Sequence, residues 1–270
     1  MKAFRAISRT VSVWLITSFV ALAPVQAGSD GDSIVGVEKF GGPAIRDFAL
    51  KVNDELDAKQ VNVAIIARSG RPRSELPKGI SYTHVGFAVF EPVRGADGEV
   101  FHTYTIYNLY QGAEGKLDRS FLKQDLTYDF VAGIAEQDVA VCVPADELQQ
   151  RILRVIRSPA YAALHNADYN VVTNPWVDRF DNCVSHTLKI CMAAVYETDD
   201  RERLYGNIRN YFRPTRVRLS PVKSFGSHFV EGVSRDDRHS SGLQTATYDS
   251  LKVFLEENGL VKEAFTVVLN

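Results

Sequence analysis

Two short stretches carry side chains able to act together as a nucleophile and its base. The first is Thr83-His84-Val85-Gly86-Phe87, inside the run YTHVGFAVF. The second is Phe180-Asp181-Asn182-Cys183-Val184-Ser185-His186. A thiol attacks a carbonyl only as thiolate, so a base must take its proton and later return it to the leaving group. Asp181-Asn182 can cap a helix, which puts Cys183 in the first turn. A helix start favours thiolate, and its free N–H groups can hold an oxyanion. The blander readings are a strand histidine bonded to a neighbour and a buried cysteine on an apolar face.

In an extended strand Tyr82, His84, Gly86, Ala88 and Phe90 share one face, and Val85, Phe87 and Val89 turn the other way into the core. Gly86 and Ala88 leave open space beside the imidazole, where a helix or a substrate could approach. The run VFHTYTIYNLY (100–110) reads as the partner strand, and Gly95-Ala96-Asp97-Gly98 as the turn that makes a hairpin. His102, Tyr104, Ile106 and Asn108 share a face of it. Asn108 is the expected group to orient the imidazole, with His102 the alternative.

Other elements frame this pair. Pro43–Glu55 has helical spacing, Val61–Ala67 is a buried-strand pattern, and Val139–Val143 is a short strand. Pro144 is expected to open a helix with Leu148, Ile152, Val155 and Ile156 on one face. Lys116–Gln137 is mixed, with room for a short helix. An Asn-rich loop (Asn166, Asn170, Asn174) leads to an apolar helix over Asp181–Val195. Arg201–Tyr211 is helical, Leu219–Gly242 irregular, and Arg235–Ser241 an exposed loop. Thr247 can cap a last helix with Gly259 closing it, and Phe265–Leu269 can add an edge strand. The fold class is α+β, a mostly antiparallel sheet packed against helices.

Composition sets outer limits. The chain has 270 residues, 45% apolar and 24% charged, an ordinary globular balance. With 31 Lys+Arg against 33 Asp+Glu it has no basic excess for a phosphate backbone, so no nucleic-acid partner is expected. Residues 1–27 read as a signal peptide: Lys2, Arg5 and Arg9, an apolar Val11–Ala23, then small residues before Gly28. That apolar stretch is shorter than the about 20 residues a membrane helix needs, and the mature chain has no other candidate span. Residues 28–270 are therefore expected as one exported domain, periplasmic or secreted.

Three cysteines, Cys142, Cys183 and Cys191, leave at least one thiol unpaired in an oxidising compartment. Cys183 and Cys191 lie too far apart on one helix to bridge, at ~12 Å. Tyr169, Trp176, Asn182 and His186 could line a substrate cleft around Cys183. His84, His102, Cys183 and His186 could in principle bind zinc, but they lack close ligand spacing, so neither a metal nor another cofactor is expected.

The order THVGF strand, second strand, PADELQQRIL helix, Asn-rich loop with Tyr169, then NCVSH at a helix start resembles circularly permuted NlpC-type cysteine hydrolases. In that group a papain-like core is permuted so that the histidine strand precedes the cysteine helix. NCVSH is also similar to the active-site box of the lecithin:retinol acyltransferase group, although Val184 stands where that box has an acid. The stretch YNVVTNPWVDRFDNCVSHTL resembles an exported bacterial family of unknown function, domain of unknown function 2145. The resemblance covers about residues 61–195, leaving 197–270 as a C-terminal helical extension. It implies Cys183 as nucleophile, His84 as base and a polar residue of the next strand, Asn108, as orienter. The implied activity is a thiol hydrolase or acyl transferase acting through a thioester on an amide, peptide or ester. Cell-wall peptide is the first substrate to expect and an acyl ester the second. A non-catalytic periplasmic binding or envelope protein on the same fold is the alternative; oligomeric state is not legible.

Overall fold

The computed structural model describes residues 33–217 and 242–269. The segments read above as signal peptide (1–27) and as exposed loop (Arg235–Ser241) lie outside them. Six strands form one antiparallel sheet in the order β4-β3-β2-β1-β5-β8. They are β1 (Val63–Arg68), β2 (His84–Arg94), β3 (Val100–Gln111), β4 (Ser120–Leu126), β5 (Asp138–Pro144) and β8 (Val261–Val268). A two-stranded ribbon, β6 (Thr215–Arg216) with β7 (Gln244–Thr245), stands apart. The helices are α1 (Val35–Phe40), α2 (Gly42–Ala58), α3 (Thr127–Ala132), α4 (Asp146–Ile156), α5 (Ala160–Ala163), α6 (Cys183–Tyr196), α7 (Arg201–Tyr211) and α8 (Tyr248–Glu257). The class is α+β, as composition and pattern led one to expect.

Helices cover both faces of the sheet. On one side Ala64, Ile66, Ala88, Tyr104, Ile106 and Val141 pack under α2 and α3, against Ile45, Phe48, Val52 and Phe130. On the other, Val63, Ile65, Ala67, Val85, Phe87 and Cys142 meet α4, α6, α7 and α8. This explains why β1 is apolar without alternation until Arg68: both its faces are buried. It also explains why α6 is buried all round, from Cys183 through Ala194, its polar Ser185, Thr187 and Lys189 held by hydrogen bonds. None of the helices in the described residues is long and apolar enough to cross a membrane.

One expectation is corrected, and two others are met in part and extended. Pro144 opens no helix. It ends β5 at a register shift, where a missing N–H is tolerated, and α4 starts at Asp146 behind Ala145. The mixed stretch 116–137 holds a full strand, β4, before its short helix α3. The C-terminal residues are no helical appendage: β8 pairs along all of β5 and completes the sheet, while Leu251, Phe254 and Leu255 of α8 lie in the same core as Cys183.

Candidate active site

The residues of interest gather at the start of β2. His84 is its first residue, pairs across β1 with Arg68, and is fully buried. Its ring stacks on Tyr110 at 4.5 Å and leans on Phe130 at 5.5 Å. Gly86 pairs with Asn108 of β3, and a Cβ there would meet Asn108 Oδ1 at 2.6 Å. The space that glycine opens is thus filled by the Asn108 side chain, not by a helix or a substrate.

Asn108 fixes the state of the imidazole. Its Nδ2 donates to Ile106 O at 2.7 Å and to Asp125 Oδ2 at 3.1 Å. With both of those partners acceptors, Oδ1 must be the atom that faces His84 Nε2, 3.1 Å away. Nε2 therefore carries the proton, and Nδ1 is left as a buried lone pair with no hydrogen-bond partner among the described residues. Asp125 is anchored in turn by Tyr110 Oη at 2.7 Å and Lys123 Nζ at 3.2 Å. Burial, then the charge of Arg68, holds His84 well below the ordinary histidine pKa, so the ring is neutral at pH 7.

Cys183 is the first residue of α6. Asn182 caps that helix, accepting from Ser185 N at 2.8 Å while Ser185 Oγ accepts from Asn182 N. The preceding loop is built on asparagine turns: Asn166, Asn170 and Asn174 each accept from the N–H two residues on. Asp181 pins that loop to the helix, accepting from Asn166 N at 3.0 Å, Ser185 Oγ at 2.7 Å and Lys189 Nζ at 2.6 Å.

The sulfur lies against the main chain on both sides of His84. It is 3.7 Å from Thr83 O, and the Val85 N–H favours its thiolate. Burial nevertheless pushes the thiol up to about 11, against the opposing effect of the Val85 and Val184 N–H groups and of Arg68. Cys183 as a whole is 4% exposed. Sulfur and imidazole do not share one face of the sheet, as the chemistry read from sequence requires. Cys183 belongs to the core under α6, whereas the His84 ring lies on the α3 side with Tyr110 and Phe130. The sulfur reaches only the main chain that flanks His84, and no hydrogen bond joins it to the ring, whose Nδ1 has no partner among the described residues.

The other expected residues fall as follows. His102 pairs with Pro92, is exposed against Phe90, and lies about 20 Å along β3 from Asn108, so it does not orient His84. Tyr169 is buried and bridges to Asp181; Asn182 is the cap; Trp176 packs on the core. His186 is buried between Tyr161 and His165 with neither ring nitrogen hydrogen-bonded. These four pack and cap around α6 instead of lining an open cleft. All three cysteines are free and buried. The residues weighed as zinc ligands do not converge, and no three His, Cys, Asp or Glu side chains cluster for a metal among the described residues.

Three members of the site had escaped the sequence reading. Tyr110 could have been found as the next same-face residue after Asn108, and Arg68 as the one cation ending an apolar strand. Asp125 carried no such signal, because SFLKQDL lacks the β-branched pattern of a strand. Among known families, the model of one, described as an uncharacterized protein conserved in bacteria (DUF2145), matches residues 55–255. No curated protein and no solved structure matches the chain.

Proposed function

The chain belongs to a family of uncharacterized proteins conserved in bacteria, and we propose that it is an exported thiol hydrolase or acyl transferase of the permuted papain-like, NlpC type. The observation that carries this reading is the prepared base. His84 holds its proton on Nε2, locked by Asn108, and keeps an unpartnered Nδ1 lone pair beside the main chain that the Cys183 sulfur touches. His186 is also buried without ring hydrogen bonds; what sets His84 apart is the Asn108 contact that fixes its tautomer and the place of Cys183 against the main chain on either side of it.

In the reaction Nδ1 takes the Cys183 proton, and the thiolate adds to the carbonyl of an amide, peptide or ester. The imidazolium returns that proton to the leaving group, which departs and leaves a thioester on Cys183. Water activated by the same nitrogen, or an acceptor nucleophile, then takes the acyl group. The N–H groups at the start of α6 are the donors available to the oxyanion. Sulfur and ring lie on opposite faces at the start of β2, so the reaction requires the site to rearrange until the sulfur reaches Nδ1 and substrate can enter. Export, from the leader read in residues 1–27, makes cell-wall peptide the leading substrate class and an acyl ester the second.

A specific feature favours a second reading, a non-catalytic envelope or binding protein: the thiol is covered and has no bond to the imidazole. Labelling with a thiol-directed electrophilic acyl probe separates the two. The hydrolase reading expects one adduct, on Cys183, absent in Cys183→Ala and strongly slowed in His84→Ala. Adducts on Cys142 or Cys191 with Cys183 untouched would overturn it.

A further inference from the structure

Arg68 is a guanidinium that hydrogen-bonds to Tyr110 but has no carboxylate to balance it among the described residues. It is 2% exposed at the end of β1, opposite His84. Its Nη1 donates to Gly133 O, while Nε is buried without a partner. No ion pair engages it among the described residues, and two acids of the same sheet are already taken, Asp138 of the adjacent β5 by Arg73 and Asp125 of β4 by Lys123. The fold nonetheless makes room for it. A Cβ on Gly133 would lie 2.4 Å from Nη1, and one on Gly70 3.1 Å from the same atom. Its guanidinium carbon lies 5.5 Å from the centroid of the Phe130 ring on which His84 leans, so cation and base share one aromatic wall. A buried charge without a counter-ion is strongly destabilising, and an arginine fork presents paired N–H groups matched to a carboxylate.

We propose that Arg68 is the anion-binding residue of the Cys183–His84 site and that the substrate carries a carboxylate next to the bond cleaved. The proposal deepens the hydrolase reading and rests on it. The substrate class narrows to acyl compounds or peptides with a free carboxylate at the scissile position. The same cation acts on both partners of the dyad, favouring the Cys183 thiolate and opposing protonation of His84.

Two alkylating agents of nearly equal size test it on the intact mature protein: iodoacetate, which carries a carboxylate, and iodoacetamide, which does not. The readout is the ratio of their rates at Cys183, followed by peptide mass spectrometry, against the same ratio in the unfolded chain. The ratio is expected to favour iodoacetate by about tenfold over the unfolded value, to fall to that value in Arg68→Gln and to be partly kept in Arg68→Lys, which retains the charge without the fork. Should Arg68→Gln not fold, wild type alone suffices: acetate is expected to slow Cys183 alkylation by iodoacetamide competitively, and acetamide at the same concentration to leave it unchanged. A native ratio equal to the unfolded one, acetate and acetamide acting alike, or a Cys183 inert to both reagents would overturn the proposal. Failure of the hydrolase reading looks different: His84→Gln would leave the Cys183 rate unchanged while the anion preference persisted.

Discussion

At the scale of single residues, the site depends on an amide that can sit only one way round. Asn108 presents Oδ1 to His84 because Nδ2 is held by Ile106 O and Asp125, and Gly86 leaves the room for it. A methyl at position 86 would also meet Tyr107 O at 2.9 Å and Ile106 Cγ2 at 3.1 Å, and strand backbone yields little. Gly86→Ala is expected to destabilise the fold by about 1–3 kcal/mol and to slow Cys183 labelling, checked by urea denaturation and probe kinetics. His84 and His186 are held neutral by burial well below the ordinary value, and His165 is brought to about 4. Their folded-state pKa values are depressed, so below about 6.5 the unfolded chain binds the extra protons and stability falls with pH. Buried Asp125 and Asp181, whose pKa values are raised, oppose this toward the acid end, so the comparison is made between chains: the fall in urea midpoint from about pH 7 to pH 5 is expected to be shallower in His84→Gln, and equal slopes contradict the burial of the His84 ring.

At the scale of elements, α6 and its loop act as a mount for the sulfur. Asp181 joins loop to helix through half-buried Asn166 and through Ser185 and Lys189, which are buried. Asp181→Ala strands the Lys189 ammonium, 1% exposed, without its carboxylate. A loss of about 3–5 kcal/mol is expected in denaturant unfolding, an order typical of a broken buried pair. Much of this element was legible in the sequence, since Asp181-Asn182 before an apolar run marks a capped start and Asn166, Asn170 and Asn174 mark turns. The hairpin was legible from β-branched and aromatic residues around a Gly95–Gly98 turn. β4 was not, because Lys123, Gln124 and Asp125 carry no strand pattern and only pairing with β3 makes them a strand. Pro144 misled for the opposite reason: its local preference for a helix start was overridden by pairing of β5 with β8.

At the scale of the whole molecule, a sheet covered on both faces explains what single-strand patterns could not. Periodicity told which residues of β2 share a face but not that α6 would cover the face opposite His84, because register and layer order are set by contacts distant in sequence. The C-terminal segment shows the same limit. Its helix and strand were each readable, yet their place as the cover of Cys142 and the sixth strand was not. Removing residues 242–270 takes away β8 and α8, bares β5 and uncaps the core that holds Cys191. Such a truncation is expected to be protease-sensitive and without a cooperative melt, where a dispensable tail would leave the melt intact.

The central claim is that His84 acts as base to the Cys183 thiol, and the pH dependence of Cys183 alkylation in wild type and His84→Gln tests it most directly. With its own ionisation pushed up to about 11, an unassisted Cys183 would be nearly inert at neutral pH. The expected result is a wild-type rate at pH 7 at least about tenfold above that of His84→Gln, lost on acidification as the imidazole takes a proton. Two superimposable profiles, each rising only with the free ionisation of the thiol, would contradict it.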